Sequence, residues 1–98
     1  MSEGTFYNIN TCKSFKLTAS GSLAKFADQV CSEVIIINTS GGVLSVYDNN
    51  NSDAANALLI PNNTVVTVRG ITNSDQVSAT GSGDFSYRTQ FFSNLPQR

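Results

Sequence analysis

The chain has 98 residues and a mass of 10.5 kDa, enough for one small core and too little for two independently folded units. Only 13% of its residues are charged, the net charge is -1, and Ser, Thr, Asn and Gln fill 37 positions, which excludes charge-rich disorder and the basic stripe of a phosphate-backbone binder. Histidine and tryptophan are absent, so the usual general base, the commonest metal ligand and the strongest carbohydrate-stacking ring are missing, and no enzymatic activity or cofactor is expected.

Taken in order, the chain consists of short apolar runs separated by Gly, Asn, Asp and Ser clusters, the pattern of an all-β antiparallel sandwich with about seven strands. The first predicted strand is 15–18, with Phe15 and Leu17 on one face and Lys16 and Thr18 on the other. Residues 22–31 place Leu23, Phe26, Ala27 and Val30 at helical spacing, so one short helical turn around 23–30 competes with an irregular loop. Val34-Ile35-Ile36-Ile37-Asn38 is apolar on both faces and predicts a central strand covered on both sides. Gly41-Gly42 suits a hairpin into the next strand, 43–48, with Leu44 and Val46 inward and Tyr47 on the opposite face. A strand at 58–60 stops at Pro61, and the following one, 64–69, points Val66 and Val68 inward and ends at Gly70. Residues 76–80 form a short strand that Gly81-Ser82-Gly83 turns into the last one, 84–92, with Phe85, Tyr87 and Phe91 on one face. The whole of 1–98 reads as a single domain, with aperiodic tails at about 1–8 and 93–98.

The first seven residues lack a basic region followed by an apolar run, so no secretory signal is read there, and no apolar run exceeds four residues, the length of 34–37, far below the roughly 18 residues of a membrane helix. With a cytoplasmic origin, Cys12 and Cys31 are expected as free, partly buried thiols in preference to a bridge. Neither belongs to a CxxC pair.

Candidate chemistry fails at its first requirement. The serines have no activating base, and the acidic pairs Asp48 with Asp53 and Asp75 with Asp84 sit in or beside loops. Residues 48–53 repeat the first ligand spacing of a calcium loop, but Asp53 stands where glycine is needed and Leu59 where a bidentate Glu is needed. Gly81-Ser82-Gly83 begins like a phosphate loop and then runs into a strand, which makes it a hairpin turn by expectation. What is left is surface. Tyr47, Arg69, Tyr87, Arg88, Phe91 and Phe92 are of interface types, and adjacent rings at 91 and 92 cannot both enter one core. Tyr87, Arg88, Phe91, Phe92 and Leu95 are therefore the candidate protein-interface residues.

The succession from Cys31 to Gly41, with Cys31, Val34, Ile36 and Asn38 in a C-x-x-V-x-I-x-N strand, then 43–48, then 60–70 with Pro61 before a β-branched strand, then Gly70, Asn73 and Ala79, resembles small β-sandwich virion proteins of tailed bacteriophages over roughly residues 15–92. That resemblance implies a jelly-roll-like module that decorates the capsid surface as a cement protein. It would bridge neighbouring copies of the major capsid protein, be assembled in the host cytoplasm, and be a homo-oligomer, with a trimer favoured. The alternative it implies is a structural part of a phage tail, baseplate or fibre attachment. A carbohydrate-binding module is the third reading, and neither nucleic acid nor membrane is an expected partner.

Overall fold

In the computed structural model, which describes residues 4–7, 12–48 and 56–95 (4–7 and 92–95 as backbone), ten strands follow one another: β1 Gly4–Tyr7, β2 Lys13–Ala19, β3 Ala24–Lys25, β4 Glu33–Asn38, β5 Leu44–Tyr47, β6 Leu58–Ile60, β7 Thr64–Arg69, β8 Ser78–Thr80, β9 Gly83–Gln90 and β10 Phe92–Leu95. Eight of them make two four-stranded antiparallel sheets, in the orders β2-β9-β4-β7 and β3-β8-β5-β6. Facing each other, these are the two sheets of a jelly roll. Among the described residues no helix is long and apolar enough to cross a membrane.

The core follows from period-two alternation. Val34 and Ile36 of β4, Phe85 and Tyr87 of β9 and Val68 of β7 point inward from one sheet, and meet Leu44, Val46, Ile60 and Ala79 from the other. Phe26 stacks on Tyr87 with ring centroids 4.1 Å apart, and Phe15 covers the other side of Tyr87 at 5.1 Å. Inside this layer lies one polar hub. The Asn38 amide nitrogen reaches the carbonyls of Gly42 at 2.9 Å, Ile60 at 2.8 Å and Pro61 at 3.1 Å, while its Oδ1 accepts from the backbone and hydroxyl of Ser40.

Several expectations are corrected. The connections after β4 and β8 are not hairpins, because β4 and β9 belong to one sheet and β5 and β8 to the other. Glycine and serine meet the demands of a sheet-switching turn as readily as those of a hairpin. The helical turn expected around 23–30 is absent: Ala24 and Lys25 pair with Ala79 and Ser78, and the following backbone donates to residues far away in sequence. Phe26 N–H reaches the Val77 carbonyl, Ala27 N–H the Tyr87 hydroxyl and Gln29 N–H the Asn73 side chain. Those partners compete successfully with helical i to i−4 bonds. A 3₁₀ turn instead occupies Ser74–Gln76, started by Asn73, whose side chain accepts from Asp75 N–H in a capping box completed by Gln76.

The β4 strand is central in its sheet, between β9 and β7, but its outer face is open. Ile35 is half-buried and Ile37 is exposed. The terminal segments also pair: β1 and β10 form an antiparallel two-stranded ribbon in which Tyr7 lies opposite Phe92 and Gly4 opposite Leu95. The long axis of the molecule measures 49 Å against 23 and 21 Å across.

Candidate assembly surface

The described residues hold no group of three or more metal-ligating side chains. Asp48 is exposed, and the rest of the candidate calcium loop, 49–53, lies outside the described residues. Asp84 is the second residue of β9 and accepts the Thr18 hydroxyl at 2.6 Å, whereas Asp75 sits in the 3₁₀ turn beyond the far end of that sheet. The two carboxylates do not share a cleft.

The predicted interface residues scatter. Tyr87 is only 3% exposed and belongs to the core, so it is withdrawn from the surface of this chain; its hydroxyl is used internally by Ala27. Tyr47, also of interface type, is buried. Arg88 lies on the open face of β9, exposed, and donates weakly to Ser14 Oγ at 3.4 Å. Phe91 is half-buried at the break between β9 and β10, so simple alternation does not govern the 91–92 pair. Phe92 and Leu95 occupy β10 of the ribbon, and their side chains lie outside the described residues.

A different feature organises the surface. All three lysines of the chain, Lys13, Lys16 and Lys25, stand on β2 and β3, the edge strands on one side of the sandwich. Charged side chains on an edge, lysine especially, discourage another strand from pairing there. On the opposite side the edge strands are β6 and β7, which contain no lysine. Leu59 is 64% exposed there, Val65 59% and Leu58 47%, and Ile37 lies opposite Val65 on the open face. Arg69 closes the end of β7 near Glu33, at 4.0 Å, a pair whose exposed arginine leaves it little energetic weight. One side of the molecule is thus guarded and the other is open.

This asymmetric jelly roll has a counterpart. It is similar to a chain from Bacillus endospore appendages, described as forming "a novel family of disulfide-linked pili", with a TM-score of 0.51 and 11% identity over 93% of this chain and 90% of that one. The likeness is one of fold. No protein-family model matches the sequence. No curated protein sequence matches it either.

Both cysteines are free thiols. Cys12 precedes β2 and Cys31 precedes β4, and β9 runs between those strands. Two inter-strand spacings put the β2 and β4 backbones about 9.6 Å apart, beyond the roughly 7 Å limit for a bridge. Cys31 is only 1% exposed, and burial, helped by the Asp75 carboxylate, pushes its thiol up to about 11. Cys12 is partly exposed.

Sequence reasoning missed the lysine asymmetry although every lysine was in view. Its signal needs the identity of the edge strands, which only the pairing order supplies.

Proposed function

We propose that this chain is a structural subunit that associates with copies of itself in an extracellular, appendage-like assembly, without chemistry of its own. The observation that carries this reading is the contrast between the lysine-guarded edge β2/β3 and the open, leucine-bearing edge β6/β7. The fold likeness to the endospore appendage chain is consistent with it. Among the roles implied by the bacteriophage resemblance, the tail or fibre-attachment alternative is nearer to this reading than capsid decoration, since a filament needs one open contact repeated between copies.

A polymer linked throughout by disulfides needs two reactive thiols on each subunit. Cys31 is sealed in the core, so Cys12 alone is available, and one bridge per chain joins copies only in pairs. Repeated association therefore rests on non-covalent contacts.

Sedimentation of the purified chain across its accessible concentration range, with electron microscopy of the concentrated sample under reducing conditions, tests the proposal. Growth in size with concentration, or filaments, is the expected result. A monodisperse monomer throughout would sink it.

A further inference from the structure

We propose that the terminal ribbon, β1 with β10, adds as a pair of strands to the β7 edge of a second copy of this chain. This rests on the self-association reading and names the contact that would drive it.

The donor is under-supported on its own. A two-stranded ribbon with four-residue strands is marginal in water, and among the described residues neither of its outer edges pairs with a strand of the two four-stranded sheets. Its strands nevertheless carry Phe6, Tyr7, Phe92 and Leu95, an apolar load that three-stranded or larger sheets normally support.

The acceptor is selected by elimination among four edges. β2 carries Lys13 and Lys16, β3 is two residues long and carries Lys25, and β6 is three residues long and stops at Pro61, which has no N–H to give. β7 is left. It offers six residues, Thr64–Arg69, lysine-free, with alternate backbone groups facing away from β4 and with Val65 and Thr67 exposed.

The chain's own ribbon cannot fill that edge. A single residue, Phe91, separates β9 from β10, and a reversal of direction takes a loop of at least about two residues. The ribbon leaves the sheet beyond Lys13 and Gln90 on β2 and β9, whereas β7 lies on the far side of β4. A strand pair of about 13 Å, whose β10 strand follows β9 after a single residue and does not turn back, reaches another molecule instead. Donor and acceptor are different surfaces, so the contact is heterologous, and each added copy presents a fresh β7 edge or a fresh ribbon.

Two full-length variants test it. Val65→Lys with Thr67→Lys guards the β7 edge at two exposed positions, and Thr5→Pro with Asn94→Pro, which lie opposite each other, breaks the ribbon. Each variant alone should lose at least about tenfold in self-association, with its thermal midpoint close to that of the parent monomer. Mixed in equal amounts they should form a one-to-one dimer and nothing larger, because the edge-guarded chain still donates a ribbon and the ribbon-broken chain still accepts one. If either variant misfolds, hydrogen exchange of the parent chain supplies a second measurement: backbone amides of β7 and of the ribbon should gain protection together as concentration rises. Undiminished assembly of the ribbon-broken variant, absence of the mixed dimer between folded variants, or association that leaves the exchange of β7 and ribbon amides unchanged would overturn the proposal while leaving self-association standing. A parent chain that stays monomeric would overturn both.

Discussion

The Tyr87 hydroxyl accepts a hydrogen bond from the Ala27 backbone N–H at 2.8 Å, joining the inner face of β9 to the extended segment after β3. One side chain thereby serves two purposes: its ring stacks between Phe15 and Phe26, and its oxygen satisfies a backbone donor that a helix would have used internally. Tyr87→Phe keeps the stack and orphans the N–H. A loss of about 1–2 kcal/mol in chemical denaturation is expected, and an unchanged midpoint would show that the bond contributes nothing.

Asn38 ties together the turns after β4 and β6 through carbonyls of Gly42, Ile60 and Pro61. Asn38→Asp has nearly the same shape but turns the donor end into an oxygen facing those carbonyls. The buried carboxylate loses its partners and meets like partial charges, so a destabilisation of about 3 kcal/mol or more is expected near neutral pH. Partial recovery of the thermal midpoint at low pH, where the carboxyl is neutral, would identify the charge as the cause.

Gly41 and Gly83 share the same backbone angle, φ +95°, and differ in surroundings. A Cβ at Gly41 meets open space, whereas one at Gly83 would overlap the Ser40 carbonyl. Gly41→Ala should therefore cost only the left-handed penalty of about 1–2 kcal/mol. Gly83→Ala should cost clearly more, and equal losses in urea melts would refute the steric account.

The two thiols should react at very different rates. Under native conditions an alkylating reagent should label Cys12 and spare Cys31, and in denaturant it should label both, as counted by intact mass. Equal native rates would mean that the core opens readily around Cys31.

The same burial makes stability pH-dependent on the alkaline side. Cys31 stays protonated in the folded chain up to about 11, against an ordinary value of 9.0, and burial raises Tyr87 as well. A group whose proton is held more tightly in the folded state contributes stability below its unfolded pKa, and that contribution is lost as pH rises toward the folded value. Stability should fall from about pH 9 toward pH 11, and Cys31→Ala should lessen the slope between 9 and 11. An identical slope in the variant would remove Cys31 from the explanation.

Much of this was legible in the residues. Alternation and the flanking Pro61 and Gly70 predict strands 58–60 and 64–69 with the observed bounds, and the inward sets Leu44/Val46 and Val66/Val68 follow because a pleated strand sends successive side chains to opposite faces. The segment at 23–30 misled, since Leu23, Phe26, Ala27 and Val30 fit a helical stripe while its backbone donors are taken by Val77, Tyr87 and Asn73. At the candidate surface, Arg88 is exposed as read, and Tyr87 is not: periodicity shows which residues share a face but not whether a second sheet covers that face.

Composition and period-two patterning, which are local and carried by each segment alone, determined the all-β class, most strands and the apolar set that fills the core. Strand partnership was decided only in three dimensions. β4 pairs with β7 and β9 and not with its sequence neighbour β5, because side-chain complementarity across the core and the Asn38 hub select among turns that Gly, Ser and Asn permit equally. That choice makes β2 and β3 one guarded side and β6 and β7 one open side, and it gives three lysines and two leucines a meaning that their positions along the chain do not have.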